Sequence, residues 1–105
     1  MKTYEVVSAP EAEEQLAKLY RDLSERASAQ IAERYVSAIL EYCESLQTGP
    51  QRGTRRDDIR PGLRITHYKR RAIIAFAVDG ERVLILGVFY GGQDYESALR
   101  GEDEE

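Results

Sequence analysis

Two apolar runs, "RAIIAFAV" (71–78) and "RVLILGVFY" (82–90), are separated only by "DGE", and no other feature constrains the fold of this chain as much. Both are far shorter than the roughly 20 residues a membrane-spanning helix needs. They are rich in Val, Ile and Phe, and Asp79-Gly80-Glu81 is a tight-turn signal, so they read as paired antiparallel strands. Upstream, "LRITHYK" alternates apolar and polar residues, as a strand with one covered face does. The three together predict an antiparallel meander. In strict alternation Ile74, Phe76 and Val78 oppose Ile73, Ala75 and Ala77, while Leu84, Leu86 and Val88 oppose Val83, Ile85 and Phe89. Both faces of the hairpin are therefore apolar, and both need cover.

The first half supplies cover for one face. "TYEVVS" reads as a short strand running into a helix-start signal at Ser8-Ala9-Pro10-Glu11, with Ser8 as the expected N-cap. Ala12, Leu16, Leu19, Tyr20 and Leu23 then form one helical stripe; Ala32, Tyr35, Val36, Ile39, Cys43 and Leu46 form another. The break between them, from Ser24 to Ser28, is short, so the helices must run antiparallel, and its serines suit a new cap. "QTGPQRG" ends the second helix, with Gly49 as the expected C-cap and Pro50 blocking continuation. The core is expected at Leu16, Leu19, Tyr35, Ile39 and Leu46. The fold class is α+β: an N-terminal strand, an antiparallel helical hairpin, then a three-stranded antiparallel meander. A chain of 105 residues fits one domain, placed at 1–100, with 101–105 ("GEDEE") as an acidic disordered tail. The helical hairpin covers one face of the sheet. The other is left as an apolar patch for a partner unless "DYESALR", at most two turns of helix, folds over it with the loops.

Charge is unevenly placed. The chain is acidic, net −4, yet eight of its 15 Lys and Arg lie between Arg52 and Arg71 against two acids, Asp57 and Asp58. A nucleic-acid binder of this size usually has a basic overall balance, so an arginine cluster on an acidic protein fits a carboxylate-bearing partner at least as well. "MKTYEVVSAPEAEEQ" has no signal-peptide core, and the lone Cys43 permits no internal disulfide, so the expected location is the cytoplasm. Cys43, inside a helical stripe, reads as a small buried hydrophobe. His67, the one histidine, reads as structural, and the sequence has no metal-ligand spacing, phosphate loop or Ser/His/acid pattern. No metal and no cofactor are expected. One catalytic arrangement remains open: a metal-independent ribonuclease site with Arg56, Arg60, Arg64 and Arg71 holding phosphate and Tyr68 or Tyr90 moving a proton.

The element order, together with "SAPEAEEQLAKLY", "GTRRDDIRPGLR" and "LGVFYGGQDYESAL", resembles the RelE/ParE superfamily of bacterial type II toxins, on its ParE branch. Asp58, Arg60, Pro61, Gly62 and Arg64 fall where ParE-like sequences carry the same types, and "YGGQD" stands at the family's His- or Tyr-Gly-x-x-Asp ending. The superfamily holds two activities. RelE-like members are ribosome-dependent mRNA endonucleases; ParE-like members are not nucleases and poison DNA gyrase. The nuclease pattern wants several lysines and arginines on the sheet, but the only lysine in the meander is Lys69, and Tyr90 is followed by Gly91-Gly92-Gln93-Asp94.

The resemblance thus implies a non-enzymatic gyrase inhibitor with no catalytic residues, neutralised by a ParD-like antitoxin whose disordered C-terminal segment folds as it binds. RelE-like mRNA cleavage is the alternative. Asp57 or Asp58 is expected to pair with neighbouring arginines. Antitoxin contact is expected at Tyr20, Leu23, Tyr42, Arg60, Arg64 and Arg71, and target contact or toxicity at Arg56, Tyr90, Asp94 and Tyr95. The arginines and the Tyr90–Asp94 exit are expected to form one site. Neither a membrane nor direct nucleic-acid binding by the toxin alone is implied.

Overall fold

The computed structural model describes residues 3–101; the expected tail beyond Gly101 lies outside the described residues. Its strands are β1 (Glu5–Ser8), β2 (Thr54–Arg55), β3 (Leu63–Tyr68), β4 (Ala72–Asp79) and β5 (Arg82–Tyr90); its helices are α1 (Pro10–Arg26), α2 (Ala29–Glu44) and α3 (Tyr95–Arg100). The meander β3-β4-β5 is present, inside a five-stranded sheet of order β1-β5-β4-β3-β2. β1 lies parallel to β5, and the other pairings are antiparallel. Two residues of "GTRRDD" add the unanticipated edge strand β2. It sits so close to β3 that a side chain at Gly53, whose φ is +80°, would run into the Ile65 carbonyl.

Three local expectations are corrected. Ser8 is not the N-cap of α1; it ends β1 opposite Ile85, and Ala9 is the cap, with no side-chain bond. Strand pairing holds the chain extended through Ala9, whose N–H donates to the Ile85 carbonyl at 2.9 Å, and Pro10 then starts the helix with φ already suited to it. Gly49 is not the C-cap of α2. The helix ends at Glu44 and tightens into a 3₁₀ turn, Ser45–Gln47, and Arg52 takes over the capping. Its guanidinium donates to the carbonyls of Gly49 (2.7 Å) and Ser45 (3.2 Å), and a Cβ at Gly49 would lie 2.6 Å from Arg52 Nη2. Glycine there makes room for an arginine. By contrast Ser28 caps α2 as expected, accepting from Ile31 N–H at 3.1 Å.

The third correction concerns the faces of β5. Ala75 lies opposite Gly87 but Phe76 lies opposite Ile85, so Leu86 is an extra residue, a β-bulge. Alternation is broken there: Val83, Ile85 and Val88 face the helices, while Leu86 and Phe89 face away. The helix-side core joins these to Ala12, Leu16 and Leu19 of α1, Ile39 and Cys43 of α2, Leu46, and Ala72, Ile74 and Phe76 of β4. Four of the five expected core residues are buried; Tyr35 is half-buried. Burial raises the Cys43 thiol pKa to about 11, as for an inert packed residue.

The second face is not left open. Leu99 of α3 packs over Leu63, Ile65, Ala75 and Phe89, with Ile59, Tyr95 and Ala98 around them. The C-terminal segment and the 56–62 loop provide the cover. Among the described residues no helix is long and apolar enough to cross a membrane.

Candidate functional site

The arginine-rich stretch resolves into a committed set and an open one. Arg56 is the hub of the first. It makes a two-pronged contact with Asp58 (3.0 and 2.9 Å), reaches Glu96 of α3 at 3.0 Å, donates to the Tyr95 hydroxyl at 2.8 Å and lies over that ring. Arg100 approaches Asp58 and Glu96 at 3.7 Å, closing the network. Arg60 donates to the Leu99 carbonyl at 2.6 Å. The loop is thus fastened along the whole of α3. Hydrogen bonding to Arg56 holds the Asp58 carboxyl at about 2 and raises the Arg56 pKa in turn. Asp57 closes the loop on itself, pairing with Arg55 at 3.0 Å and accepting from Gly62 N–H at 2.8 Å. Both aspartates therefore pair with neighbouring arginines, as expected from the sequence. Arg64 is also engaged, with Gln51 Oε1 (3.0 Å) and the Arg52 carbonyl (3.3 Å).

Asp94, expected at a target contact, caps α3, accepting from the N–H (3.2 Å) and hydroxyl (2.8 Å) of Ser97, which lowers its pKa. Tyr95 lies against Phe89 on the second face. Tyr90 belongs elsewhere. Its ring is on the helix side, 5.6 Å from that of Tyr35, and its N–H donates to Gln93 Oε1 at 2.7 Å. Arg60 and Tyr90 accordingly stand on different faces of the sheet and line different clefts, so the single site expected from them is two.

The larger cleft, about 390 Å³, lies between α1 and the end of β5. Leu19, Leu23 and Val88 form its apolar part; Lys18, Asp22, Arg26 and Arg71 supply charge, and Tyr90 to Gln93 close it. Lys18 and Asp22 pair at 3.0 Å on its rim, and that hydrogen bond lowers the Asp22 pKa. Of the residues expected to meet an antitoxin, Leu23 and Arg71 line this cleft, and Tyr20 is 38% exposed on α1. Tyr42 is half-buried, sharing a hydrogen bond with Thr66 at 3.0 Å beneath the Arg52 guanidinium. His67 is exposed on β3.

Sequence reasoning missed Gln15. Its Oε1 accepts from the Val88 N–H at 2.7 Å, next to the bulge, and it borders both clefts. No spacing rule announces it, because the need arises only from the bulge. Among the described residues no group of His, Cys, Asp and Glu is arranged to hold a metal ion.

Residues 6–95 match the family described as ParE toxin of type II toxin-antitoxin system, parDE. The chain belongs to that family. It is 29% identical over 84 residues to Toxin ParE3 of Caulobacter vibrioides, spanning 80% of this chain and 83% of the relative. Among solved structures it resembles a chain of the chromosomal ParDE toxin–antitoxin system from P. aeruginosa, with a TM-score of 0.75 and 22% identity over 85% of this chain and 97% of that one. It also resembles a chain of the RelBE2 toxin–antitoxin complex from Mycobacterium tuberculosis, with a TM-score of 0.64 and 22% identity over 89% and 97%. At such identities the two structures establish the fold.

Proposed function

We propose that this ParE-family toxin inhibits DNA gyrase without catalysing a reaction and is held inactive by a ParD-like antitoxin. The observation that carries the reading is the commitment of its arginines. A metal-independent ribonuclease needs several cations free to meet a scissile phosphate and a proton donor beside them. Arg56, Arg60 and Arg64 are occupied with Asp58, Glu96, the Leu99 carbonyl and Gln51. Of the four arginines such a site would use, only Arg71 stands with Tyr90. That arrangement suits recognition better than phosphodiester cleavage.

Antitoxin binding belongs to the helix side, where the cleft combines apolar footing with Lys18, Arg26 and Arg71. A segment carrying apolar and acidic residues suits that lining, and one that folds as it binds gains stability from the contact. Growth arrest on induction without antitoxin tests the reading. Tyr90→Phe and His67→Ala are expected to remain toxic, whereas loss of a general acid–base group from an enzyme costs about 10² to 10⁴ in rate. A folded, non-toxic Tyr90→Phe protein, with cleaved message in cells expressing the parent, would support the RelE-like reading instead.

A further inference from the structure

The sheet ends on one side at β1, and that edge is open. In the parallel ladder the odd-numbered residues of β1 bond to β5: the Glu5 N–H donates to the Glu81 carbonyl and the Ala9 N–H to the Ile85 carbonyl, each at 2.9 Å. Val6 and Ser8 therefore turn their N–H and C=O groups away from the sheet. The outward N–H of Tyr4 is met by the Gln47 carbonyl at 2.8 Å, whereas Val6 and Ser8 have no outward partner among the described residues. Natural edge strands are blunted by shortness, charge, proline or cover. At the opposite edge β2 has two residues, and the Arg55–Asp57 ion pair stands beside it. The β1 edge carries no charge between Glu5 and Pro10.

The cover over the second face also stops short of this edge. Leu63, Ala77, Leu84 and Val7 lie opposite one another in a row across β3, β4, β5 and β1, so their side chains share a face. Leu63 is buried in the cluster that Leu99 of α3 closes. Ala77, Leu84 and Val7 are half-buried and belong to neither core. An apolar row thus runs out from under α3 to a strand whose outward backbone groups are unpaired.

We propose that the β1 edge binds a second copy of this chain, antiparallel across a two-fold axis at Val7, so that the two five-stranded sheets become one. The register follows from the free groups. Centred on Val7, it sets Val6 opposite the partner's Ser8 and Ser8 opposite the partner's Val6, and each pair exchanges both of its bonds. Centred on Val6, it would set Ser8 against Tyr4, whose N–H is already taken by Gln47; centred on Ser8, it would set Val6 against Pro10, which has no N–H. In the Val7 register Glu5 falls opposite the partner's Ala9, so no like charges meet, and the two Val7 side chains join the apolar rows of both copies into one. The partner strand leaves the edge at its Pro10, opposite Tyr4, where Gln47 takes over. A foreign strand would fill one open edge; a second copy closes two with a single self-complementary contact.

The test is sedimentation of the full chain at concentrations up to about 1 mM, a range suited to a small interface, beside hydrogen exchange at the Val6 and Ser8 amides. A reversible monomer–dimer equilibrium is expected, with both amides exchanging more slowly as the dimer forms. Ser8→Pro removes an outward donor and leaves the ladder to β5 intact, as proline at a sheet edge can. It is expected to weaken the dimer at least about ten-fold, for the loss of one hydrogen bond on each side of the axis. Val7→Lys sets two cations face to face and is expected to give a monomer. Circular dichroism of each variant checks that it is folded. A parent that stays monomeric throughout, a dimer whose Val6 and Ser8 amides exchange as in the monomer, or a dimer undiminished in folded Ser8→Pro would overturn the proposal. Protection of these amides only on addition of a ParD-like antitoxin would overturn it too, and would give the edge to a foreign strand. The contact uses no residue of the helix-side cleft, so its failure would leave the antitoxin and gyrase readings as they stand.

Discussion

The bulge in β5 makes the fold depend on one side chain of α1. With Leu86 inserted, the Val88 N–H donates to Gln15 Oε1 at 2.7 Å, and Val88 is only 3% exposed. Gln15→Met keeps the length of the side chain and removes the acceptor. A buried donor left unpaired costs roughly 1–3 kcal/mol. For a domain near this size each 1 kcal/mol lowers Tm by about 4–8 °C. Gln15→Glu separates the bond from the packing, because a carboxylate still accepts, and it is expected to lose clearly less. The assay is urea unfolding followed by far-ultraviolet circular dichroism, with hydrogen exchange at the Val88 amide as the local readout. The Met variant should unfold at lower urea with an unchanged slope, and its Val88 amide should exchange faster than in the parent. Equal losses in the Met and Glu variants, or a Met variant within about 0.5 kcal/mol of the parent, the range of an ordinary surface substitution, would refute the reasoning.

Leu19→Ala removes a side chain that is 6% exposed from the helix-side core and should cost roughly 2–5 kcal/mol; Tyr20→Ala, at a position 38% exposed, should spare the fold and weaken antitoxin binding. Calorimetry of the antitoxin complex beside denaturation of the free toxin measures both. The latch between the loop and α3 should depend on pH through Asp58. Its folded pKa, about 2, lies below the unfolded value of about 3.9, so its contribution is present above the latter and is lost as pH falls toward the former. Amide signals of residues 95–100, followed from pH 5 to pH 2, should show that release, and Asp58→Asn should remove it and leave only the titration of the Asp94 cap.

The sequence displayed what depends on periodicity. The paired apolar runs, the two helical stripes and the order of elements follow from i, i+4 and alternating patterns, and the structure has them. Single-residue competition was not visible. Ser8 looked like a cap, but pairing with Ile85 takes it into β1; Gly49 looked like a C-cap, but it makes room for the Arg52 guanidinium. The faces of β5 were misread because one extra residue, Leu86, reverses the alternation beyond it. For the candidate site, composition located the arginines but not their partners. Arg56 meets Glu96, forty residues later, and Arg60 meets the Leu99 carbonyl; only the path of α3 across the sheet brings them together. The packing of the Tyr35 ring against Tyr68 and Tyr90 was hidden for the same reason, since the three lie on different elements and look like ordinary core or strand residues in the sequence.

The central claim is that this toxin acts on gyrase by contact and not on message by catalysis. Its most direct test is DNA supercoiling by purified gyrase with increasing amounts of the toxin, run beside cleavage of an mRNA on programmed ribosomes. The account predicts that supercoiling is inhibited, that the ParD-like antitoxin relieves the inhibition as it saturates the toxin, and that the message stays intact. Unimpeded supercoiling together with message cleavage that disappears in Tyr90→Phe would contradict it.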